Sequence, residues 1–151
     1  MISPVDVLCV AIMMALVALE GNRGVVPAAV DFICILLGVI LIRMAYVPLS
    51  DYMRPSSAYL LLLIALVVLA ALLSIYVSRR LNISITAFEA AIGALLGLGT
   101  AMFLCHAIFQ WISIRYGSAS PLIQNSVLGW MVLDFAGFQE FVNYLRTLTG
   151  R

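Results

Sequence analysis

AYLLLLIALVVLAALLSIYV, Ala58 to Val77, decides how this chain is read. Twenty residues pass without a charge, and Arg79 and Arg80 follow directly. As a helix the run rises about 30 Å, the thickness of the hydrocarbon core of a bilayer. The stretch therefore reads as a transmembrane helix, and the rest of the chain has to be consistent with that solvent.

Composition agrees. The chain has 151 residues, of which 65% are hydrophobic and 10% charged, and its mean hydropathy is +1.17. A soluble domain is about 45–50% apolar and about 25% charged, so this chain lacks the polar residues to cover a water-facing surface. The net charge of +1 gives no basic field for nucleic acid.

Upstream, Val25 to Val47 reads as a second span although Asp31 and Arg43 interrupt it. A central charge costs about 2.5–3.5 kcal/mol and each Leu, Ile, Phe or Val returns about 0.3–0.6. Phe32 to Ile42 supplies nine such residues, and the charges lie near the ends, so insertion wins. Pro27 suits the first helical turn, where its missing N–H is no loss. Val5 to Leu19 is a shorter first span with Asp6 at its edge; without a basic leader it reads as retained and not as a signal peptide. The fourth span covers about 89–114. The expected fold is an all-α membrane protein of four transmembrane helices, spans about 5–19, 25–47, 58–77 and 89–114, with 117–151 as a C-terminal amphipathic segment. In that segment Leu128, Met131, Phe135, Phe138, Val142, Leu145 and Leu148 recur every three or four residues, whereas Asp134, Glu140, Asn143 and Arg146 fall largely elsewhere. It is expected at the interface or against the bundle; a fifth span or re-entrant helix is the alternative.

An even number of spans puts both termini on one side and Tyr46, Tyr52, Tyr59, Trp111 and Tyr116 at one interface, as belt aromatics should lie. Arginines in loops one and three (Arg23, Arg79, Arg80) slightly outweigh those opposite, favouring cytoplasmic loops one and three and termini outside.

The EGNRG segment, residues 20–24, reads as the first hairpin turn, with Gly21 and Gly24 permitting the reversal. Asp31 lies about two turns into the second helix. On the same side sit Arg79, Arg80 and Glu89, and the expected arrangement is a charge cluster that binds loop one to loop three. Asp6 is expected to pair with Arg43 at the opposite rim. Gly93 and Gly97 form a GxxxG face that lets backbones approach closely, either within the chain or between copies. His106, the only histidine, and Gln110 one turn later form a possible intramembrane polar site; the plainer reading is a neutral His bonded across helices. Cys9, Cys34 and Cys105 have no ligand spacing and read as small buried hydrophobes. No metal or other cofactor is expected. Ser113 and His106 share a helix face, but nothing orients the imidazole for hydrolysis, so no enzyme is expected.

The pattern resembles the colicin V production protein family of bacterial inner-membrane proteins. The carriers are Asp6 in PVDVLCVAI, the turn residues Gly21, Arg23 and Gly24, the AYVPLSDYM loop after the second span, and IGALLGLGTAMF in the fourth. The likeness extends to about Trp111, with Asn22 standing where the family's turn usually has a second basic residue. The resemblance implies a four-span protein linked to toxin production or export or to envelope homeostasis. Related four-span domains anchor serine proteases outside the cytoplasmic membrane, which agrees with external termini. The expected partners are the lipid bilayer and either a second copy or a larger membrane complex. A small channel or transport component using Asp31 and His106, or an accessory subunit of a respiratory or photosynthetic complex, are the other readings.

Overall fold

The structure is a computed structural model that describes residues 3–80, 86–117 and 120–128. Four long helices follow one another: α1 (Pro4–Arg23), α2 (Val25–Leu49), α3 (Pro55–Arg80) and α4 (Ala87–Tyr116), then a single short turn of helix, α5 (Pro121–Gln124). All four long helices are apolar and long enough to cross a bilayer, so the fold is all-α and of the membrane-spanning class. The rest of the expected amphipathic helix, from position 129 on, lies outside the described residues.

Each helix starts for a local reason. Ser3 caps α1, its hydroxyl accepting from the Val5 amide while the Asp6 carboxylate accepts from the Ser3 amide, a reciprocal capping box with Pro4 at the first position. Thr86 and Glu89 form the same box at α4. Pro27 sits in the first turn of α2 as expected, and Pro48 in its last.

The first helix is longer than its apolar run. It continues through Glu20, Gly21 and Asn22 to Arg23, so the expected five-residue hairpin turn is in fact one residue. Gly24 makes the reversal alone, at φ 85 and ψ 179, a backbone region essentially closed to residues with a side chain. Gly21 is helical and does not turn the chain.

Packing is not in sequence order. The main contacts run α1–α4, α4–α2 and α2–α3, with α1–α2 and α3–α4 meeting only thinly. One core cluster joins Ile35, Val39 and Ile42 of α2 to Tyr59 and Leu63 of α3 and Ala107 of α4. A second joins Val5 and Cys9 of α1 to Cys105, Phe109 and Ile112 of α4 and to Ile123 of α5. α3 is the outlying helix and leaves Leu61, Ile64, Val68, Leu69, Leu72 and Tyr76 exposed, a surface suited to lipid.

The expected belt residues Tyr46, Tyr52, Tyr59, Trp111 and Tyr116 fall at one end of the helices, as an even span count requires. Tyr46 and Tyr59 meet edge to face with centroids 5.8 Å apart, and the Trp111 indole donates to the Ser56 carbonyl at 3.0 Å. Tyr59 is buried, however, and so packs the bundle where a headgroup contact was expected. The start of α1 and the segment after α4 share this end too: the Ser3 hydroxyl donates to the Leu122 carbonyl at 3.2 Å.

Candidate functional site

Two polar clusters stand at opposite ends of the bundle, each anchored on α1. The first is built around Glu20. Its position on the last turns of α1 turns it toward α4, where Gly93 and Gly97 remove the side chains that would hold the helices apart. A Cβ on Gly93 would lie 2.5 Å from the Glu20 carbonyl oxygen, and one on Gly97 would lie 2.7 Å from the Leu16 carbonyl oxygen. The GxxxG face is thus occupied by α1 of the same chain. Glu20 is left with no solvent exposure at all.

One guanidinium serves this cluster. Arg23 Nη1 stands 3.6 Å from Glu20 Oε1 and 3.6 Å from Asp31 Oδ2, and donates to Ser74 Oγ of α3 at 3.4 Å. Arg23 thereby ties α1 to α2 and α3 from a partly exposed position at the rim. Of the expected cluster between loops one and three, the described residues show the loop-one part: Asp31 pairs with Arg23, whereas Glu89 is engaged in capping α4 and Arg79 is exposed. The reason is proximity, since α1 delivers a guanidinium to the head of α2 across a one-residue turn. Both Glu20 carboxyl oxygens and Asp31 Oδ1 are buried without a hydrogen bond.

The second cluster centres on Asp6. Each of its oxygens receives two donors: Oδ2 the amides of Ser3 at 3.1 Å and Val127 at 3.3 Å, Oδ1 the Leu128 amide at 3.2 Å and the Ser126 hydroxyl. The expected pairing with Arg43 is thus replaced by neutral donors, because the chain after α4 folds back over the start of α1. Gly117, at φ 82, begins that return, and Leu122, Ile123 and Leu128 press on the α1–α4 core beneath it. Asp6 therefore closes α1 and latches the following segment together.

His106 is buried within α4 and Gln110 is half-buried one turn on. The level of Asp31 on α4 is marked by Gly99, which meets the neighbouring Phe32; His106 stands about 10 Å of helix rise beyond it. The structure does not bring Asp31 and His106 together. Among the described residues no group of three or more His, Cys, Asp or Glu side chains is arranged to hold a metal.

From the sequence, Glu20 reads as part of the first hairpin turn and not as a site residue. The signal was present in its spacing, three residues before Arg23 and in a run of three charges framed by apolar segments, together with a glycine pair on another helix. Comparison with known proteins finds no matching family model, no matching curated protein and no matching solved structure.

Proposed function

We propose that the chain is a non-enzymatic multi-pass protein of the bacterial inner membrane, of the colicin V production type, that acts as a scaffold or accessory factor in toxin production or export or in envelope homeostasis. In this reading the α1–α2 turn and the α3–α4 connection face the cytoplasm and the start of α1 and α5 face outward, in line with Arg23, Arg79 and Arg80 lying at the former end. The observation that carries the reading is the outer face of α3. It is apolar along its length and engaged by only one neighbouring helix strongly, which leaves it open to another membrane protein as well as to lipid. The buried charges meanwhile serve the fold, Asp6 by latching and Arg23 by tying three helices.

The test is photo-crosslinking in native membranes from Leu61, Val68 and Leu72 on α3, with Met14 on the exposed face of α1 as the reference position. Discrete protein adducts from α3 alone, together with a defect in toxin secretion or envelope-stress tolerance when the gene is removed, support the reading. Lipid adducts alone at every position, with neither defect, remove it.

A further inference from the structure

We infer that Glu20 and Asp31 form a binding site for one small monovalent cation, a proton or Na+, held between the two carboxyl groups inside the helix bundle. This inference stands apart from the accessory role above and does not depend on it.

The argument is one of charge balance. Two carboxylates converge on a single guanidinium, each 3.6 Å from Arg23 Nη1, so one negative charge is left over. A surface pair could leave that charge to water, but Glu20 is fully enclosed and Asp31 nearly so. An uncompensated carboxylate in such surroundings is costly, and proteins remove the cost by adding a counter-charge or by neutralising the group. The charged groups acting on Glu20 are Arg23 on its own helix and Asp31 on α2. Among the described residues, α3 contributes the Ser74 hydroxyl, and α4 presents glycine backbone at Gly93 and Gly97. None of these, and no other group among the described residues in contact with the pair, supplies the missing positive charge.

Hydrogen-bond geometry gives a second, separate reason. Both carboxyl groups stand 3.6 Å from the same Arg23 nitrogen, yet neither Glu20 oxygen nor Asp31 Oδ1 accepts a hydrogen bond. Arg23 stands just beyond hydrogen-bond distance of both groups, and no other donor among the described residues reaches these oxygens. A proton placed on one carboxyl forms an O–H bond there and donates to the other, satisfying both and bringing the cluster to zero net charge. Na+ does the same by direct coordination to the vacant oxygens. Coupled carboxyls of this kind titrate as a pair, so the site takes up one cation and not two. An ionisable group held inside a membrane bundle with such a partner is a place for ion handling.

Infrared spectroscopy of the full chain in lipid nanodiscs tests this without a variant. Carbon-13 labelling of glutamate and, separately, aspartate assigns any band of a protonated carboxyl to residue type; Glu20→Gln and Asp31→Asn then assign it to position where those variants fold. In sodium-free buffer near neutral pH, a single protonated carboxyl band that shifts with one of the labels, is lost at high pH and is indifferent to added Na+ establishes the proton as occupant. Loss of that band, or a shift of the carboxylate bands, on adding Na+ at fixed pH establishes Na+. No protonated carboxyl near neutral pH, with spectra unchanged by Na+, overturns the inference. Neither failure bears on the crosslinking experiment, so the two readings fall separately.

Discussion

Gly93 lies so close to Glu20 that a single added carbon would stand 2.5 Å from the Glu20 carbonyl oxygen. The atom it meets is backbone, which cannot swing aside, so any side chain at position 93 must push α1 away from α4. Gly93→Ala is expected to cost about 1–3 kcal/mol by overpacking, and Gly93→Leu more. Gly97→Ala, facing the Leu16 carbonyl at 2.7 Å, belongs with it. Gly21→Ala is the contrast: its nearest neighbours, at 3.5 and 3.6 Å, leave room for a methyl group. That change is expected to be neutral or to gain up to about 1 kcal/mol from helix propensity. Reversible unfolding in mixed micelles measures all three, and equal loss at Gly21 and Gly93 would refute the close approach.

Arg23 is the only counter-charge touching Glu20 and Asp31 among the described residues. Arg23→Gln leaves two enclosed carboxylates together. Removing one partner of a buried pair costs about 3–5 kcal/mol, and the partial exposure of Arg23 lowers the expectation to about 2–3 kcal/mol. Adding Glu20→Gln to Arg23→Gln takes away one of the stranded charges and is expected to restore part of the loss. A double-mutant cycle on unfolding free energies reads this coupling directly; strictly additive losses would show that Arg23 acts through Ser74 or packing alone.

These two clusters show where sequence reading succeeds in such a chain. Spans are legible because lipid cannot satisfy backbone groups, so every crossing segment must be a continuous apolar helix. The expected spans 25–47, 58–77 and 89–114, which lie within α2, α3 and α4, follow from that alone. Pairing of charges is harder, because hydropathy gives only depth. Asp31 shares its end of the bundle with Arg23, Arg79, Arg80 and Glu89, and only the one-residue turn at Gly24 decides in favour of Arg23. The same turn explains Glu20. A charge at the edge of an apolar run reads as a rim residue, but α1 runs on past it and the glycines of α4 draw it in. Asp6 and Ser126 are 120 residues apart, and no local pattern announces their contact.

The latch on Asp6 is sensitive to one atom. Both carboxylate oxygens are fully used as acceptors, so Asp6→Asn turns an NH2 group toward donors on whichever side it occupies. Hydrogen bonds to a charged group are worth about 1.5–3 kcal/mol, and the loss is expected at that level. The Val127 and Leu128 amides should then exchange their hydrogens faster, and proteases should cut more readily after Ser120. Ser126→Ala removes one donor of four and should produce a smaller change in the same direction. Unaltered exchange at Val127 and Leu128 in Asp6→Asn would show that apolar contacts of Ile123 and Leu128 hold the segment without Asp6.

The order of helices fixes which positions share a membrane face. α1 starts at the end where Ser3 meets Leu122, α2 returns to that end, and α3 and α4 repeat the excursion. Tyr52, between α2 and α3, and Val127, after α5, are both exposed there, whereas Asn22 and Arg79 are exposed at the far end. Cysteines placed singly at these positions should fall into two classes toward a membrane-impermeant maleimide. Tyr52→Cys and Val127→Cys should react from one side, and Asn22→Cys and Arg79→Cys only after the membrane is opened, or the reverse. The native Cys9 and Cys105 are buried and should give little background. Reaction of the first pair in intact cells places α5 outside and agrees with the arginine distribution; reaction of the second pair inverts the orientation but keeps four crossings. Separation of Tyr52 from Val127 would require an odd number of crossings between them, which the paired course of α3 and α4 does not allow.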